Sequence, residues 1–169
     1  LSAEAIQQRV RELAAEINRD YTGAGPLFLV GILKGAFIFL ADLARQLTVA
    51  HAVDFMAVSS YGLTASSGAV RIILDTRVPI EGRHVMLVED IVDTGHTLRY
   101  FQESLSSRHP ASLCTCALLR KERADTLNLP VDYLGFVIPD VWVVGYGLDY
   151  ADTHRTLPYI GVLKPEVYQ

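Results

Sequence analysis

The chain has 169 residues, of which 50% are hydrophobic and 20% are charged, and this length and composition suit one globular domain with a full-sized core. The formal net charge is −4, and no run of Lys or Arg forms a basic tail or stripe, which disfavours a protein that acts on nucleic acid. No apolar run reaches the length of a membrane span, and the first residues carry no basic segment followed by an apolar core, so we expect neither a membrane protein nor a signal peptide.

The first third of the chain alternates between helical and strand patterns. A helix is predicted over Ala3–Arg19, because apolar residues recur there at helical spacing and Ser2 can cap the first turn. The continuous apolar run Leu27–Leu33 predicts a strand that is buried on both faces. A second helix is predicted over Phe37–Leu47 and a second strand over Val53–Ser59.

The next segment, Ser60–Gly68, is rich in Gly, Ser and Thr and predicts a long mobile loop. Beyond it we predict the strands Val70–Leu74, His84–Ile91, Ala111–Leu119, Val131–Ile138 and Trp142–Tyr146, and the helix Gly95–Ser107. Strands that alternate with helices predict an α/β fold, a single domain over residues 1–169 with a mostly parallel central sheet flanked by helices. Ligands of such sheets bind beyond the carboxyl ends of the strands, so functional residues are expected directly after the apolar runs.

The two cysteines, Cys114 and Cys116, lie two residues apart in a predicted strand, so their side chains are expected on the same face. Such positions are poorly placed for a disulfide, and no second Cys or His pair accompanies them to make a metal site. We interpret both as buried, reduced core residues, which indicates a cytoplasmic protein.

The most informative stretch is Val85–Leu98, which reads VMLVEDIVDTGHTL. Four apolar residues are followed by Glu89 and Asp90, and Asp93 comes three residues later, so three carboxylates lie at the end of a core strand. Because burying unpaired carboxylates is costly, a positively charged or hydrogen-bonding group must meet them.

The segment Asp93–Thr97 supplies a glycine, two hydroxyls and free backbone N–H groups at the start of a helix, which is a favourable arrangement for binding an anion. Together with the preceding carboxylates, it predicts a ligand that has a phosphate at one end and hydroxyls or a metal at the other, such as ribose 5-phosphate. If Asp93 or Thr94 only capped the helix, the Glu89–Asp90 pair would stay unexplained. The nucleotide-loop patterns GxxxxGK[ST] and GxGxxG are absent from the sequence.

The stretch EDIVDTGHT, Glu89–Thr97, resembles the phosphoribosyl-diphosphate-binding signature of the type I phosphoribosyltransferases. Other segments narrow the resemblance to the hypoxanthine or hypoxanthine-guanine phosphoribosyltransferases. They are LKG at Leu33–Gly35, SSYG and SSGxVRI within Ser59–Ile72, GFVIPDVWVVGYGLDY at Gly135–Tyr150 and RTLPYIGVL at Arg155–Leu163. The match spans nearly the whole chain, and it implies the type I fold with a small hood built from the terminal segments.

The resemblance implies that Leu33, Lys34 and Gly35 bind diphosphate, in this family often through a non-proline cis peptide. Arg155 would contact the same group. Ser60 and Tyr61 would lie on a mobile loop that closes over the reaction.

For the sugar, the resemblance implies that Glu89 and Asp90 hold the ribose 2′- and 3′-hydroxyls, partly through magnesium, and that Asp149 binds a second magnesium. The residues that would surround the 5′-phosphate are Asp93, Thr94, Gly95, His96 and Thr97.

For the base, the resemblance makes Asp93 the general base, near N7 of a purine. Lys121 would donate to the exocyclic oxygen at position 6 of the base. Trp142 would stack on the purine face, and the backbone of Val143 would read its edge.

Some of these assignments have simpler alternatives. Lys121 lies in the sequence RKER, which also suits a solvated turn, and Trp142 is a lone Trp of the kind more often found in a core. Asp149 could instead cap a helix. The chain also departs from the family at His96, where several relatives carry a basic residue, and at Val141, where a charged residue is common.

The resemblance therefore implies an enzyme that converts hypoxanthine, and guanine as well, with phosphoribosyl diphosphate and magnesium into IMP or GMP. One alternative is a phosphoribosyltransferase for another base such as xanthine, which the presence of Lys121 and Trp142 disfavours. The other is a non-catalytic regulator of the same fold that binds nucleotide or RNA, which the net charge of −4 disfavours. Relatives are dimers or tetramers, so a homodimer or homotetramer is expected.

Overall fold

The structure, a computed structural model, describes residues 1–60, 70–123, 125–126 and 128–167. Its elements in chain order are α1 Ala3–Tyr21, β1 Leu27–Leu33, α2 Phe37–Gln46, β2 His51–Ser60, β3 Val70–Leu74, β4 His84–Val92, α3 His96–Ser106, β5 Ser112–Lys121, β6 Tyr133–Ile138, β7 Val143–Val144 and β8 Gly161–Val162, followed by a short 3-10 helix at Pro165–Val167.

The main sheet has six strands in the order β3-β2-β1-β4-β5-β6. Strands β2, β1, β4, β5 and β6 run parallel to one another, and β3 at the edge is antiparallel to β2. The chain leaves the centre of the sheet after β1 in one direction and returns to add β4 on the other side. In open α/β sheets this change of direction leaves a crevice at the carboxyl ends of the two central strands, where ligands bind. The predicted mostly parallel α/β sheet is confirmed.

Helices cover both faces of the sheet. The apolar stripes of α1 and α2 pack on one face, with Ile17 and Phe39 in the same buried cluster as Met86 of β4. On the opposite face, Phe101 of α3 packs with Leu87 of β4. A parallel sheet that is buried on both faces explains why β1 and β4 read as continuous apolar runs rather than alternating ones.

The predicted bounds of β1 and β3 agree with the structure, and most other elements differ by one or two residues at an end. Helix α1 extends to Tyr21, whose hydroxyl lies 3.1 Å from the Sγ of Cys114. Strand β5 extends to Lys121, because Lys121 still pairs with Ile138 of β6. Lys121, which we expected to follow the strand, is therefore its last residue.

The expected strand Trp142–Tyr146 is wrong in length, because only Val143 and Val144 form β7. Gly145 and Tyr146 have φ angles of 101° and 51°, which lie outside the extended region and end the strand. The turn that follows carries the chain back over the carboxyl end of the main sheet.

The hood consists of β7, β8 and the chain around them. The backbone N–H of Ile160 donates to the carbonyl of Leu1 at 3.0 Å, so the first residue of the chain lies beside this C-terminal segment. The hydroxyl of Tyr146 and the amide of Gln7 both donate to Asp42 Oδ2 at 2.6 Å, which joins the hood to α1 and α2. The hood that the resemblance implied is present.

Both cysteines are buried free thiols in one core cluster, as expected. Burial raises the pKa of Cys114 to about 12 and also raises the pKa of Cys116 above its usual range. None of the helices in the described parts of the chain has the length and apolar character that crossing a bilayer requires.

Candidate active site

The predicted site residues that the structure describes gather at the carboxyl edge of the sheet, because β1, β4 and β5 all end there. Leu33 ends β1, the pair Glu89 and Asp90 lies near the end of β4, and Lys121 ends β5. The hood contributes Trp142 and the residues after it. These segments are far apart in the sequence, and the fold brings them into one crevice.

The turn after β1 is closely packed between β4 and the hood. The Leu33–Lys34 peptide bond is cis, as the resemblance implied. A Cβ atom on Gly35 would overlap the carboxylate of Asp90, and a Cβ atom on Gly147 would overlap the carbonyl oxygen of Gly35. Only glycine fits at these two positions, because the turn lies directly against Asp90 on one side and against the hood on the other.

Glu89 and Asp90 are buried, with exposed fractions of 7% and 8%. Burial raises the pKa of Asp90, and burial together with the neighbouring Asp90 carboxylate raises the pKa of Glu89 well above its usual range. The Oε2 atom of Glu89 is buried and has no hydrogen-bond partner among the described residues. Because a buried polar atom without a partner is costly, this oxygen fits a hydroxyl donor or a cation that a ligand brings.

The carboxylate pair also fits magnesium in its chemistry. Magnesium takes oxygen ligands and is usually held by one or two carboxylates, water and substrate oxygens. Within the described ranges, no three His, Cys, Asp or Glu side chains converge to hold a metal, so substrate oxygens would have to complete the shell. Asp149 is engaged otherwise: its Oδ1 lies 2.6 Å from Arg155 Nη2, and its Oδ2 accepts from the backbone of Asp152 at 2.8 Å.

The start of α3 has the local geometry expected of the anion cradle predicted for Asp93–Thr97. Gly95 has a φ of 77° and caps the helix with no side-chain hydrogen bond, and the first turn contains no acidic residue. A Cβ atom there would overlap Leu129, so glycine is required on steric grounds as well. The first backbone N–H groups of an α-helix lack intrahelical partners and are positioned to bind an anion. A cavity of about 240 Å³ lies beside them, lined by Glu89, Ile91, Val92, Asp93, Thr94, Gly95, Thr97 and Leu98.

The side chain of His96 is exposed and does not line this cavity. Any contribution of residue 96 to phosphate binding would therefore come from its backbone.

A second cavity of about 190 Å³ adjoins the first, lined by Asp90, Ile91, Asp93, Lys121, Trp142, Val143, Leu148 and Asp149. Lys121 is only 7% exposed, and its Nζ lies 3.1 Å from Asp93 Oδ1 and 5.8 Å from the centre of the Trp142 ring. Trp142 is 51% exposed. The burial of Lys121 excludes the alternative that it lies in a solvated turn. The exposure of Trp142 excludes the alternative that it is a core residue.

Two charged residues without an assigned role lie at the rim of this second cavity. Asp140 Oδ1 lies 3.2 Å from Lys121 Nζ, and Arg123 Nη1 donates to Asp140 Oδ2 at 2.8 Å. Arg123 lies in the sequence RKER, and Asp140 lies in the segment Gly135–Tyr150 that carries part of the family resemblance. Their spacing along the chain does not reveal that they pair, because β5 and β6 must first be placed side by side.

Lys34 and Arg155, the residues expected to contact diphosphate, share one carboxylate. Lys34 Nζ and Arg155 Nη2 lie 3.0 Å and 3.3 Å from Asp152 Oδ1. Hydrogen bonds from these two cations lower the pKa of Asp152 below its usual range. Arg155 Nη1 also donates to the carbonyl of Gly147 at 2.8 Å, so the guanidinium is held beside the turn after β1.

The loop predicted over Ser60–Gly68 lies outside the described residues, apart from Ser60, which ends β2. The structure therefore does not describe Tyr61.

The comparison with known proteins agrees with this geometry. The family model for the phosphoribosyl transferase domain matches residues 1–151. The hypoxanthine-guanine phosphoribosyltransferase of Dictyostelium discoideum is 48% identical to this chain, covering 97% of it and 93% of that protein. The protein of the same name from Mycobacterium tuberculosis strain H37Rv is 50% identical, covering 100% of this chain and 87% of that protein.

Among solved structures, the hypoxanthine phosphoribosyltransferase of Trypanosoma cruzi in complex with the product IMP is 49% identical and superposes with a TM-score of 0.92, covering 99% of this chain and 94% of that chain. Sequence and structure agree over nearly the full length. The chain belongs to the phosphoribosyltransferase family and, within it, to the hypoxanthine-guanine phosphoribosyltransferases.

Proposed function

We propose that this protein is a purine-salvage enzyme that converts hypoxanthine and 5-phosphoribosyl 1-diphosphate into IMP and diphosphate, and guanine into GMP in the same way. The observation that carries the proposal is the contact of 3.1 Å between Lys121 and Asp93 in the second cavity, beside the anion cradle at the start of α3. This arrangement supports a site in which Lys121 donates to the base and Asp93 accepts a proton from it, next to the place proposed for the phosphate.

Lys121 explains the choice of base. Its ammonium group is only a donor, so it fits the oxygen at position 6 of hypoxanthine and guanine and does not fit the amino group of adenine. Trp142 lies at the edge of the same cavity, where its ring can stack on the purine. The backbone of Val143 lines the cavity and is assigned the edge of the base.

Asp93 is assigned the proton transfer. As purine N9 bonds to C1′ of the ribose, the bond from C1′ to the diphosphate oxygen breaks, and the base must lose the proton on N7. The Asp93 carboxylate takes that proton as a general base, while the diphosphate leaves with the electron pair of the broken bond. Positive charge on the sugar ring rises during this exchange, while the leaving diphosphate gains negative charge, which Lys34 and Arg155 are assigned to stabilise.

The remaining roles concern the sugar and its phosphates. Glu89 and Asp90 are assigned the ribose hydroxyls, which fits the buried Oε2 of Glu89 that lacks a partner among the described residues. The residues assigned to the 5′-phosphate are Asp93, Thr94, Gly95, His96 and Thr97, largely through backbone N–H groups.

Diphosphate is assigned to the turn Leu33, Lys34 and Gly35 and to Arg155. It would replace Asp152 as the anionic partner of Lys34 and Arg155. The residues that would hold magnesium are Glu89, Asp90 and Asp149, and the metal, when bound, supplies positive charge to the leaving diphosphate. Asp149 can bind magnesium only if its carboxylate releases Arg155 and contacts the metal instead.

Two further assignments concern the closing of the crevice and the location of the protein. Ser60 and Tyr61 are assigned to a loop that closes over the crevice and keeps water from the reacting sugar. The buried free thiols of Cys114 and Cys116 support a cytoplasmic location.

A homodimer or homotetramer is proposed because Ile73, Leu74 and Val53 expose apolar side chains at the β2–β3 edge of the sheet. Light scattering coupled to gel filtration tests this proposal.

A turnover assay with 5-phosphoribosyl 1-diphosphate, magnesium and a panel of bases tests the function. We expect IMP from hypoxanthine and GMP from guanine, with a kcat/KM for adenine at least about 100-fold lower, because the site presents only a donor to position 6. Adenine or xanthine as the best substrate would overturn the choice of base, and no turnover of any base would overturn the enzyme itself.

A further inference from the structure

The ammonium group of Lys121 lies between two carboxylates that come from different parts of the chain. Its Nζ is 3.1 Å from Asp93 Oδ1 and 3.2 Å from Asp140 Oδ1. Asp93 follows β4, and Asp140 follows β6, so the two carboxylates approach the ammonium group from the two strands that flank β5. Asp93 is already assigned the proton transfer, whereas Asp140 has no assigned role.

Arg123 holds the second carboxylate in place. Its Nη1 donates to Asp140 Oδ2 at 2.8 Å and lies 3.9 Å from Asp93 Oδ1. The four groups therefore form a ring of alternating charge, Asp93, Lys121, Asp140 and Arg123. Each oxygen of Asp140 has its own cationic partner, which fixes the carboxylate at the rim of the second cavity.

Hydrogen bonds that involve no charged side chain also hold the backbone around Lys121 and Asp140. Lys121 pairs with Ile138 across β5 and β6, and the N–H of Glu122 donates to the carbonyl of Ile138 at 2.8 Å. The fully buried hydroxyl of Thr126 donates to the carbonyl of Lys121 at 2.8 Å. Neutralising Asp140 should therefore leave the local fold intact.

The proposed reaction changes the charge of Asp93 and leaves the charge of Asp140 unchanged. When Asp93 takes the proton from N7, an O–H bond forms on Asp93, and its carboxylate charge is lost. Lys121 then needs another counter-charge, because an ammonium group that is this buried is costly without one. Asp140 is not among the residues that line the second cavity, so we expect it to keep its charge through the step.

We propose that Asp140 is a positioning residue that, held by Arg123, keeps the Lys121 ammonium directed at position 6 of the purine while Asp93 carries the proton. This inference rests on the proposed function. It adds a base-specificity residue outside the set that lines the second cavity.

The test compares Asp140→Asn with Asp125→Asn. Asp125 pairs with the same Arg123, at 3.2 Å from its Nε, but has no contact with Lys121, so it is a matched control. We expect Asp140→Asn to raise the KM for hypoxanthine about 10-fold, with a smaller rise in the KM for phosphoribosyl diphosphate and an unchanged melting temperature. Asp125→Asn should keep the wild-type value for hypoxanthine.

A double-mutant cycle separates a positioning role from a general change of charge. In a Lys121→Ala background, Asp140→Asn should add little to the loss of hypoxanthine binding, because the group that it positions is absent. A full and independent effect in that background would overturn the proposal. So would a wild-type KM for hypoxanthine in Asp140→Asn, or equal rises for both substrates.

The failure of this inference can be distinguished from the failure of the proposed function. Wild-type turnover and IMP binding, followed by the fluorescence of the single Trp, are measured first. If the wild type is active and Asp140→Asn binds IMP equally well, the positioning role is wrong and the function stands. If the wild type neither turns over a purine nor binds IMP, both are wrong.

Discussion

The two halves of the crevice are built in different ways. The half that we propose to bind the sugar and its phosphate, the sugar-phosphate half, comes mostly from one stretch, Glu89–Thr97, in which a strand, a loop and a helix follow one another without interruption. The half that we propose to bind the purine, the base half, comes from three separate places: the end of β5 with Lys121, the connection after β6 with Asp140, and the hood with Trp142. A contiguous segment positions the first half, and tertiary packing positions the second.

This difference has a physical consequence. The sugar-phosphate half depends on local geometry, namely a strand end, a left-handed glycine and a helix N-terminus, so its chemistry follows from the order of the residues. The base half depends on the pairing of β5 with β6 and on the attachment of the hood. Substitutions in the base half should therefore alter base binding while leaving phosphoribosyl diphosphate binding largely intact, and the reverse should hold for the other half.

Asp93 belongs to both halves, so it should give the largest effect. Asp93→Asn removes the proton acceptor, and we expect kcat to fall at least about 10²-fold. The melting temperature should change little, because this side chain is half exposed. Steady-state turnover with hypoxanthine and thermal unfolding measure the two quantities. Wild-type-like turnover would remove Asp93 from the role of general base.

Gly35 tests the sugar-phosphate half alone. Gly35→Ala would push a methyl group into the carboxylate of Asp90, so we expect kcat/KM for phosphoribosyl diphosphate to fall roughly 10²-fold through misplacement of the pair that holds the sugar. Gly161→Ala is the matched control, since its Cβ meets the Tyr159 ring at 3.5 Å, an ordinary contact. Equal behaviour of the two variants would contradict the close packing that we describe.

Lys121 tests the base half. Lys121→Ala should raise the KM for hypoxanthine roughly 10- to 150-fold, the equivalent of a hydrogen bond to a charged group. The KM for phosphoribosyl diphosphate should change much less, because its assigned ligands lie elsewhere. Initial rates over a grid of both substrates separate the two constants. A parallel rise in both would show that the halves are not independent.

Tyr146 gives the smallest expected effect and tests how the hood is attached. Its hydroxyl donates to Asp42 at 2.6 Å in a partly buried setting, so Tyr146→Phe should lower the free energy of unfolding by about 1 kcal/mol. Tyr150→Phe is the control, because its hydroxyl bonds to the carbonyl of Val167 at an exposed position and should matter less. Denaturant titration measures both variants. Equal stabilities would mean that Tyr146 does not anchor the hood.

The sequence allowed much of this architecture to be predicted, and the largest error in the predicted strands has a physical cause. The bounds of β1 follow from an apolar run that begins after Pro26 and ends before Lys34. The expected strand Trp142–Tyr146 was too long, because the positive φ angles of Gly145 and Tyr146 cannot be read from an apolar pattern. Local composition predicts a strand better than it predicts where the backbone turns.

The same division holds within the site. The placement of Glu89 and Asp90 near the end of β4, a few residues before the glycine that caps α3, could be predicted, because these residues are neighbours in sequence. The pairing of Asp140 with Lys121 and the contact of Asp152 with Lys34 could not, since each joins residues on different elements. The need for glycine at position 35 depends on Asp90 of β4 and becomes visible only in the folded chain.

A crystal structure of the protein with bound IMP tests the central claim most directly, because one ligand spans both halves of the crevice. We predict the 5′-phosphate on the backbone N–H groups of residues 94–97, the purine beside Trp142, and its position 6 oxygen within hydrogen-bonding distance of Lys121 Nζ. IMP bound in the reverse orientation, or outside these two cavities, would contradict the account.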